Sequence, residues 1–258
     1  LAKTVAYAIC INVFMFLCEV FVGFYSNIPG HMDHLKYLFV GLHGHGAYVI
    51  WMWASMALMA AAILMRAGYS GREILCDPLC GSGTFALEGA LMAQQIPPGW
   101  YREFAFQAWP AFRQGRWRHI RRTATPPDMT FPQPTILASD RSAVAIRRLE
   151  QTLAACGMRD VVQTDQKDFE DLDGKTISQT GGIVVLNPPY GKRLGSRRSA
   201  EQTYQAIGRH LRSHFRGWTA AILAPNRRLA DLLGFRARRY AMSHGGQCVH
   251  VLIGSLPK

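Results

Sequence analysis

Val184-Val185-Leu186-Asn187-Pro188-Pro189-Tyr190 is an apolar run that stops on an asparagine, two prolines and an aromatic ring. With Ile183 before it, the run reads as a buried strand, and prolines cannot extend a sheet, so the strand delivers a stiff loop at its carboxyl end. In an open α/β sheet that edge is where ligands bind. Asn187 offers a side-chain carbonyl, the Asn-Pro link offers a backbone carbonyl without a competing N–H, and Tyr190 offers a flat face. Together they suit a planar ring that carries an exocyclic amine.

The residues on either side supply the rest of such a sheet. Upstream, Ile74-Leu75-Cys76 reads as a first strand that Asp77-Pro78 ends. Gly81-Ser82-Gly83-Thr84 then forms a turn whose glycines let backbone approach a ligand, and a helix follows from Phe85 to Gln95. A second strand, Thr135 to Ser139, ends in Asp140, and helical periodicity runs from Ala143 to Cys156. An acid at that tip is placed to hold a pair of ribose hydroxyls, although a helix N-cap would use the same position. Val161-Val162 begins a third strand. Asp168-Phe169 follows it, where an adenine ring finds an acceptor for its amine and an apolar wall. Downstream come a helix over 200–215, a strand from Thr219 to Ala224, a short helix over 226–233 and two strands near 238–242 and 248–253. Gly245-Gly246 makes the hairpin between those two. Short strands alternating with helices predict a Rossmann-like α/β domain with a seven-stranded, mostly parallel sheet.

Charge is distributed unevenly. Of the 29 basic and 17 acidic residues, only Lys3, Lys36, Arg66, Glu19 and Asp33 fall within residues 1–69, so nearly all of the +12 net charge lies beyond them. Such an excess favours a polyanion, and nucleic acid is the natural one. The stretch 96–134 between the first helix and the second strand is rich in Pro, Trp and Arg. There Trp109 and Trp117 interleave with Arg113, Arg116, Arg118, Arg121 and Arg122, as on a surface that faces RNA. Cys10, Cys18, Cys76, Cys80, Cys156 and Cys248 have neither metal-ligand spacing nor the density of a disulfide scaffold, so reduced thiols in a cytosol-facing protein and no metal site are expected.

Residues 1–69 have another texture and are expected to form a separate apolar helical segment, with the catalytic domain over 70–258. The run 5–25 is almost wholly apolar, and the nineteen residues 47–65 carry no charge, which makes both candidate transmembrane helices. Tyr48, Trp51 and Trp53 stand at one end of the second run and Arg66 closes the other. Such a hairpin would tether a cytoplasmic domain to the inner face of a membrane. His31, His34, His43, His45 and Asp33 lie between the runs, and solvated loop histidines are the simpler reading of them. Glu19, Gly23, Ser26-Asn27 and Gly30-His31-Met32 are similar to the first helix of cation diffusion facilitator transporters over about thirty residues, without the acidic and histidine ligands of the second helix.

Asp77-Pro78-Leu79-Cys80-Gly81-Ser82-Gly83-Thr84 and Asn187-Pro188-Pro189-Tyr190-Gly191, in that order, resemble the class I S-adenosylmethionine-dependent methyltransferases. More narrowly, the chain from about residue 73 onward resembles the THUMP-associated RNA guanine-N2 methyltransferases, including bacterial enzymes acting on large-subunit ribosomal RNA. Ile96-Pro97-Pro98-Gly99, Phe104-Ala105-Phe106, Trp109-Pro110 and Ser243-His244-Gly245-Gly246 add to the likeness. The resemblance implies that Asp77, Pro78 and Gly81 to Thr84 line the methionine and adenosine of S-adenosylmethionine, that Asp140 holds the ribose, and that Asp168 with Phe169 meets the adenine. It implies Asn187, Pro188, Pro189 and Tyr190 as the catalytic loop, with ribosomal RNA as the partner and Lys192 and Arg193 beside it. Family members carry a THUMP domain and a helical segment just before the first strand, whose place residues 1–69 take here. Lys192 stands where an acid often follows the Tyr-Gly pair.

Two other readings use the same residues. The Asn-Pro-Pro-Tyr loop also serves DNA adenine methyltransferases and glutamine methyltransferases of release factors. A DNA enzyme needs a target-recognition domain, for which no region here is long enough, and a glutamine enzyme has no need of the arginines over 113–122. From a different class comes a membrane-anchored or transport protein that carries the fold without its activity.

Overall fold

The computed structural model describes residues 49–96, 107, 110–124, 135–188, 197–244 and 247–257, the side chains of 49–55, 243–244 and 247–248 excepted. The chain divides into two compact units, residues 1–59 with 241–249, and residues 60–240 with 250–258. Of the first unit, the described parts are the opening turns of helix α1 (Val49–Arg66) and the facing ends of strands β6 (Arg238–His244) and β7 (Gln247–Ser255). The second unit holds most of the sheet and its helices.

The sheet has seven strands in the order β3-β2-β1-β4-β5-β7-β6. Strands β1 (Leu75–Asp77), β2 (Ile136–Ser139), β3 (Val162–Asp165), β4 (Ile183–Leu186) and β5 (Thr219–Ala224) run parallel, and β7 returns antiparallel against β5. β1 lies at the centre of the five parallel strands, with Leu75 paired to Ile136 on one side and Ile183 on the other. Covered on both faces, β1 and β4 have no exposed position, so β4 is a continuous apolar run and β1 is apolar up to Asp77, with no alternation in either. β5 contributes small residues, Ala220, Ala221 and Ala224, around Ile222 and Leu223, all buried.

Helices fill the crossovers. α2 (Thr84–Ala93) follows β1, α3 (Gln114–Thr123) lies in the Arg-rich insertion, α4 (Ala143–Cys156) joins β2 to β3, and a single turn, α5 (Gly174–Ile177), precedes β4. α6 (Arg197–His214) joins β4 to β5, and α7 (Arg227–Asp231) follows β5. α4 starts where the Ser142 hydroxyl accepts from the Ala145 N–H and stops at Gly157, left-handed at φ 67°, the usual devices for both ends. α6 turns Tyr204, Ile207 and Leu211 into a core shared with Phe215, Trp218 and Phe169. The Tyr204 hydroxyl, brought in with its ring, donates to the Leu223 carbonyl of β5 at 3.1 Å.

The strand and helix positions expected from sequence stand within a few residues, α4 over the same span. The apolar stretch 47–65 differs. It is the helix α1, and its later turns belong to the second unit, where Ala60, Ile63 and Leu64 are buried. Ala67 and Tyr69 continue that packing into the loop, and the Tyr69 hydroxyl donates to the Gly89 carbonyl of α2 at 3.2 Å. Arg66, expected as a membrane-edge anchor, sits over the Tyr240 ring at 4.6 Å. Among the described residues no helix is long and apolar enough to cross a membrane. A helix that buries one face in a core and has Ala, Leu and Met on the others shows the same charge-free run as a bilayer span. The other expected span, 5–25, the histidines of the connecting loop and the hairpin glycines 245–246 lie outside the described residues.

One close approach ties α6 to the turn after α7. A Cβ at Gly208 would lie 2.1 Å from the Leu233 carbonyl oxygen, whereas one at Gly217 would meet nothing within 4 Å. We expect Gly208→Ala to destabilise the domain by about 1–3 kcal/mol through overpacking. Gly217→Ala has only its left-handed backbone to contend with, φ 77°, at about 1–2 kcal/mol. Urea unfolding followed by circular dichroism checks both, and a Gly208→Ala midpoint equal to that of the wild-type protein would refute the packing.

Candidate active site

Every candidate residue that falls within the described set, Phe169 apart, lies at or beyond the carboxyl end of a strand or in the insertion helix. β1 ends in Asp77, which is 1 % exposed, and neither of its carboxylate oxygens has a hydrogen-bond partner. Burial pushes its pKa up to about 7; the nearby Asp140 charge adds to the rise, and the Ala86 backbone amide of α2 offsets part of it without reaching hydrogen-bond geometry. Pro78 is buried beside it. A buried carboxylate without a donor is unfavourable in the empty protein, and it is relieved by a cation placed against it.

The glycine turn is held from two sides. The Cys80 N–H donates to the Ser139 carbonyl at 3.0 Å, and the Gly83 N–H closes the turn on the Cys80 carbonyl at 2.7 Å. Gly81 then donates its N–H to Asp140 Oδ2 at 3.0 Å, while Asp140 Oδ1 accepts from the Ser142 N–H at 2.9 Å. Asp140 therefore does not cap α4, a task that Ser142 performs, and sequence reasoning passed over Ser142 although a serine just before a helix is the usual sign. Each oxygen of Asp140 keeps a second lone pair, so a diol can still be accepted there.

Gly81 and Gly83 are both left-handed, at φ 51° and 76°, but for different ends. A Cβ at Gly83 would strike Leu149 Cδ1 at 2.3 Å, so that glycine lets α2 and α4 pack. At Gly81 a Cβ would meet nothing within 4 Å, which leaves the backbone open to a ligand. α2 begins at Gly83 with no side-chain cap and no acid in its first turn. Its first N–H groups are a place for an anion. Ser82 is exposed, its hydroxyl 3.2 Å from that of Thr84.

On the far side of β2, Asp168 is exposed and its Oδ1 accepts from the Glu170 N–H at 3.4 Å, capping one 3-10 turn. Phe169 is 4 % exposed and points inward, its ring 4.6 Å from that of His210 and 6.1 Å from that of Phe215. The apolar wall expected of it is thus part of the core, because a phenyl ring at a chain reversal gains more by burial than by waiting for a ligand. β4 ends with Asn187 exposed and Pro188 buried. Pro189, Tyr190, Lys192 and Arg193 lie outside the described residues. Arg113, Arg116 and Arg118 are exposed at the start of and along α3, a helix with no buried residue, and Arg121 shares its last turn with Arg122. Among the described residues no group of His, Cys, Asp and Glu could hold a metal.

The residues present fit a sulfonium amino acid linked to a nucleoside. An unpaired buried carboxylate for an ammonium, a bare helix start for a carboxylate, an open glycine and a diol acceptor adjoin one another along β1 and β2. This sheet order with an antiparallel β7, joined to that site, defines a class I methyltransferase. The family model for the RMKL-like methyltransferase domain matches residues 54–250, and the chain belongs to that family. The match begins within α1, earlier than the boundary at 70 expected from composition.

The chain is 34% identical over 190 residues to the provisionally named RNA methyltransferase slr0064 of Synechocystis, covering 73% of this chain and 49% of that protein. It is 38% identical over 195 residues to the ribosomal RNA large subunit methyltransferase K/L of Methylococcus capsulatus, covering 73% of this chain and 26% of that one. The crystal structure of SMU.472, described provisionally as a methyltransferase and complexed with S-adenosylhomocysteine, superposes with a TM-score of 0.69 at 25% identity over 80% of this chain and 54% of that one. The chain thus spans from a quarter to half the length of these curated relatives.

Two outcomes are expected at this site. A pKa raised above that of the unfolded chain means that the folded protein binds the extra proton, so the contribution of Asp77 to stability is fully present below about pH 4 and is lost as the pH rises through 7. Asp77→Asn should flatten that fall, worth on the order of 4 kcal/mol at most, in ligand-free protein. Thermal melts of both proteins from pH 4 to 8 check this, and parallel curves would exclude Asp77 as the source. Asp140→Ala should weaken S-adenosylmethionine binding at least tenfold by calorimetry, through lost diol contacts and a loosened Gly81. Unchanged affinity would leave Asp140 a role in the turn alone.

Proposed function

We propose that this domain transfers the methyl group of S-adenosylmethionine to the exocyclic N2 of a guanine in RNA, with ribosomal RNA as the substrate class. The observation that carries the reading is the pairing on one sheet edge of a donor site along β1 and β2 with Asn187 and Pro188 at the end of β4, the adjacent strand. The relatives' ribosomal substrates and the excess of basic residues beyond residue 69 support RNA as the acceptor.

Bound at this edge, S-adenosylmethionine supplies an electrophilic methyl carbon. Asp77 would hold its ammonium, the start of α2 its carboxylate and Asp140 its ribose diol. Asp168, the most exposed of these acids, would face the adenine amine. An exocyclic amine conjugated with its ring is a poor nucleophile. Accepting its two N–H groups at the Asn187 side-chain oxygen and the Pro188 carbonyl draws the nitrogen toward tetrahedral geometry and turns its lone pair toward the donor. Alignment of this kind is what an in-line displacement most needs from a protein. Tyr190 would stack on the purine, a contact worth about 1–3 kcal/mol in comparable cases. As the C–N bond forms and the C–S bond breaks, the amine becomes more acidic and gives up one proton, so no strong base has to act first.

Asn187→Ala should abolish methyl incorporation into RNA while S-adenosylmethionine affinity stays within about twofold. Tritium transfer to deproteinised ribosomal RNA and calorimetry read the two quantities. Retained transfer would remove Asn187 from the amine-acceptor role.

A further inference from the structure

The helices that follow β4 and β5 carry cations that neither the cofactor site nor the amine-accepting loop uses. β4 and β5 are neighbours with Leu186 in register with Ile222, so Asn187 and Pro188 leave the sheet level with Leu223 and Ala224. Beyond Ala224, Asn226 caps α7 by accepting the Leu229 N–H at 2.9 Å, and Arg227 and Arg228 occupy the first turn. α6, which leads back from the β4 loop, opens with Arg197 and Arg198 and has no acid in its first turn.

Glu201 joins the two sets. Its Oε1 lies 3.5 Å from Arg197 Nε on its own helix and 2.9 Å from Arg228 Nη2 on the other. One carboxylate thus fixes two guanidinium groups and, with the Gly208 to Leu233 approach, sets the spacing of the helices. Arg198 and Arg227 remain exposed, with no ion-pair partner among the described residues. Cations at the start of an eighteen-residue helix oppose its dipole, so Arg197 and Arg198 are placed against the helix's own preference. Two guanidiniums share one carboxylate and two more stand beside them with no ion-pair partner among the described residues, at the starts of the helices that follow β4 and β5.

We propose that Arg198 and Arg227 grip backbone phosphates of the RNA strand that carries the target guanine, with Glu201 holding Arg197 and Arg228 as the frame between them. The inference rests on the RNA-methylation reading above and adds the contact that presents the base. A guanine drawn out to Asn187 brings its own phosphates to this rim, and planar guanidinium groups match phosphate oxygens two at a time. The grip is independent of sequence: it raises affinity and orients the strand, while the β4 loop selects the amine.

The test compares wild-type protein with Arg198→Gln/Arg227→Gln and with a control of equal charge, Arg159→Gln/Arg216→Gln. The control residues are exposed in the loops before β3 and β5, at the opposite edge of the sheet. Methyl transfer to deproteinised ribosomal RNA is measured from 50 to 300 mM salt, along with calorimetry for S-adenosylmethionine. The rim variant should raise the RNA KM about tenfold, leave kcat and cofactor affinity near wild type, and lower the slope of log affinity against log salt by about two units. The control should change neither KM nor slope. An unchanged KM and slope in the rim variant, or equal losses in both variants, would overturn the inference and leave the RNA reading standing. No transfer to RNA by the wild-type protein would overturn the RNA reading and this inference with it.

Discussion

The carboxylate of Asp140 is the contact on which the rest of the site depends. By accepting the Gly81 N–H and the Ser142 N–H at once, it ties the turn after β1 to the turn after β2. Without it the Gly81 amide would have to find another acceptor, and the left-handed glycine would lose its reason to face the cleft. The position of α2 depends on that turn, since Gly83 both ends it and lets Leu149 of α4 close against it. Asp77, at the end of β1 just before that turn, is buried with no donor to its carboxylate. A carboxylate buried in this way is an electrostatic deficit, and in the proposed function the ammonium of the cofactor relieves it. Binding energy and positioning come from the same few contacts.

The acceptor side is built on a different principle. β4 is fully buried and apolar, so it is held rigidly within the sheet, and the direction of its exit is set by Asn187 and Pro188. Asn187 emerges exposed while Pro188 is buried, which fixes the main chain at the point where the side chain must reach outward. The strands that carry the two halves of the proposed site are neighbours in the sheet, so strand spacing sets the separation of Asp77 and Asp140 from Asn187 at the strand ends. This suits a reaction that needs alignment more than it needs strong acid or base.

Much of this was legible in the sequence because the signals were local. A buried strand ending in Asn-Pro-Pro and a glycine turn between a strand and a helix each declare themselves within a few residues, and the periodicity of 143–156 gives α4 its span. What was not legible depends on packing between distant segments. Nothing near Phe169 says that His210 and Phe215 will enclose its ring, and nothing in Asp140 says that its partner is an amide 59 residues away. The apolar run 47–65 belongs with these: its sequence does not distinguish a bilayer from the core that buries Ile63 and Leu64. Arg198 and Arg227 were passed over because in sequence they are two ordinary basic pairs, and only the pairing of β4 with β5 brings them to one rim.

The most direct test of the central claim is chemical. Ribosomal RNA stripped of protein, incubated with the purified chain and S-adenosylmethionine, is digested to nucleosides and analysed by mass spectrometry. The account predicts N2-methylguanosine as the new product. N6-methyladenosine in its place, or methyl incorporation into DNA or protein with none into RNA, would contradict it.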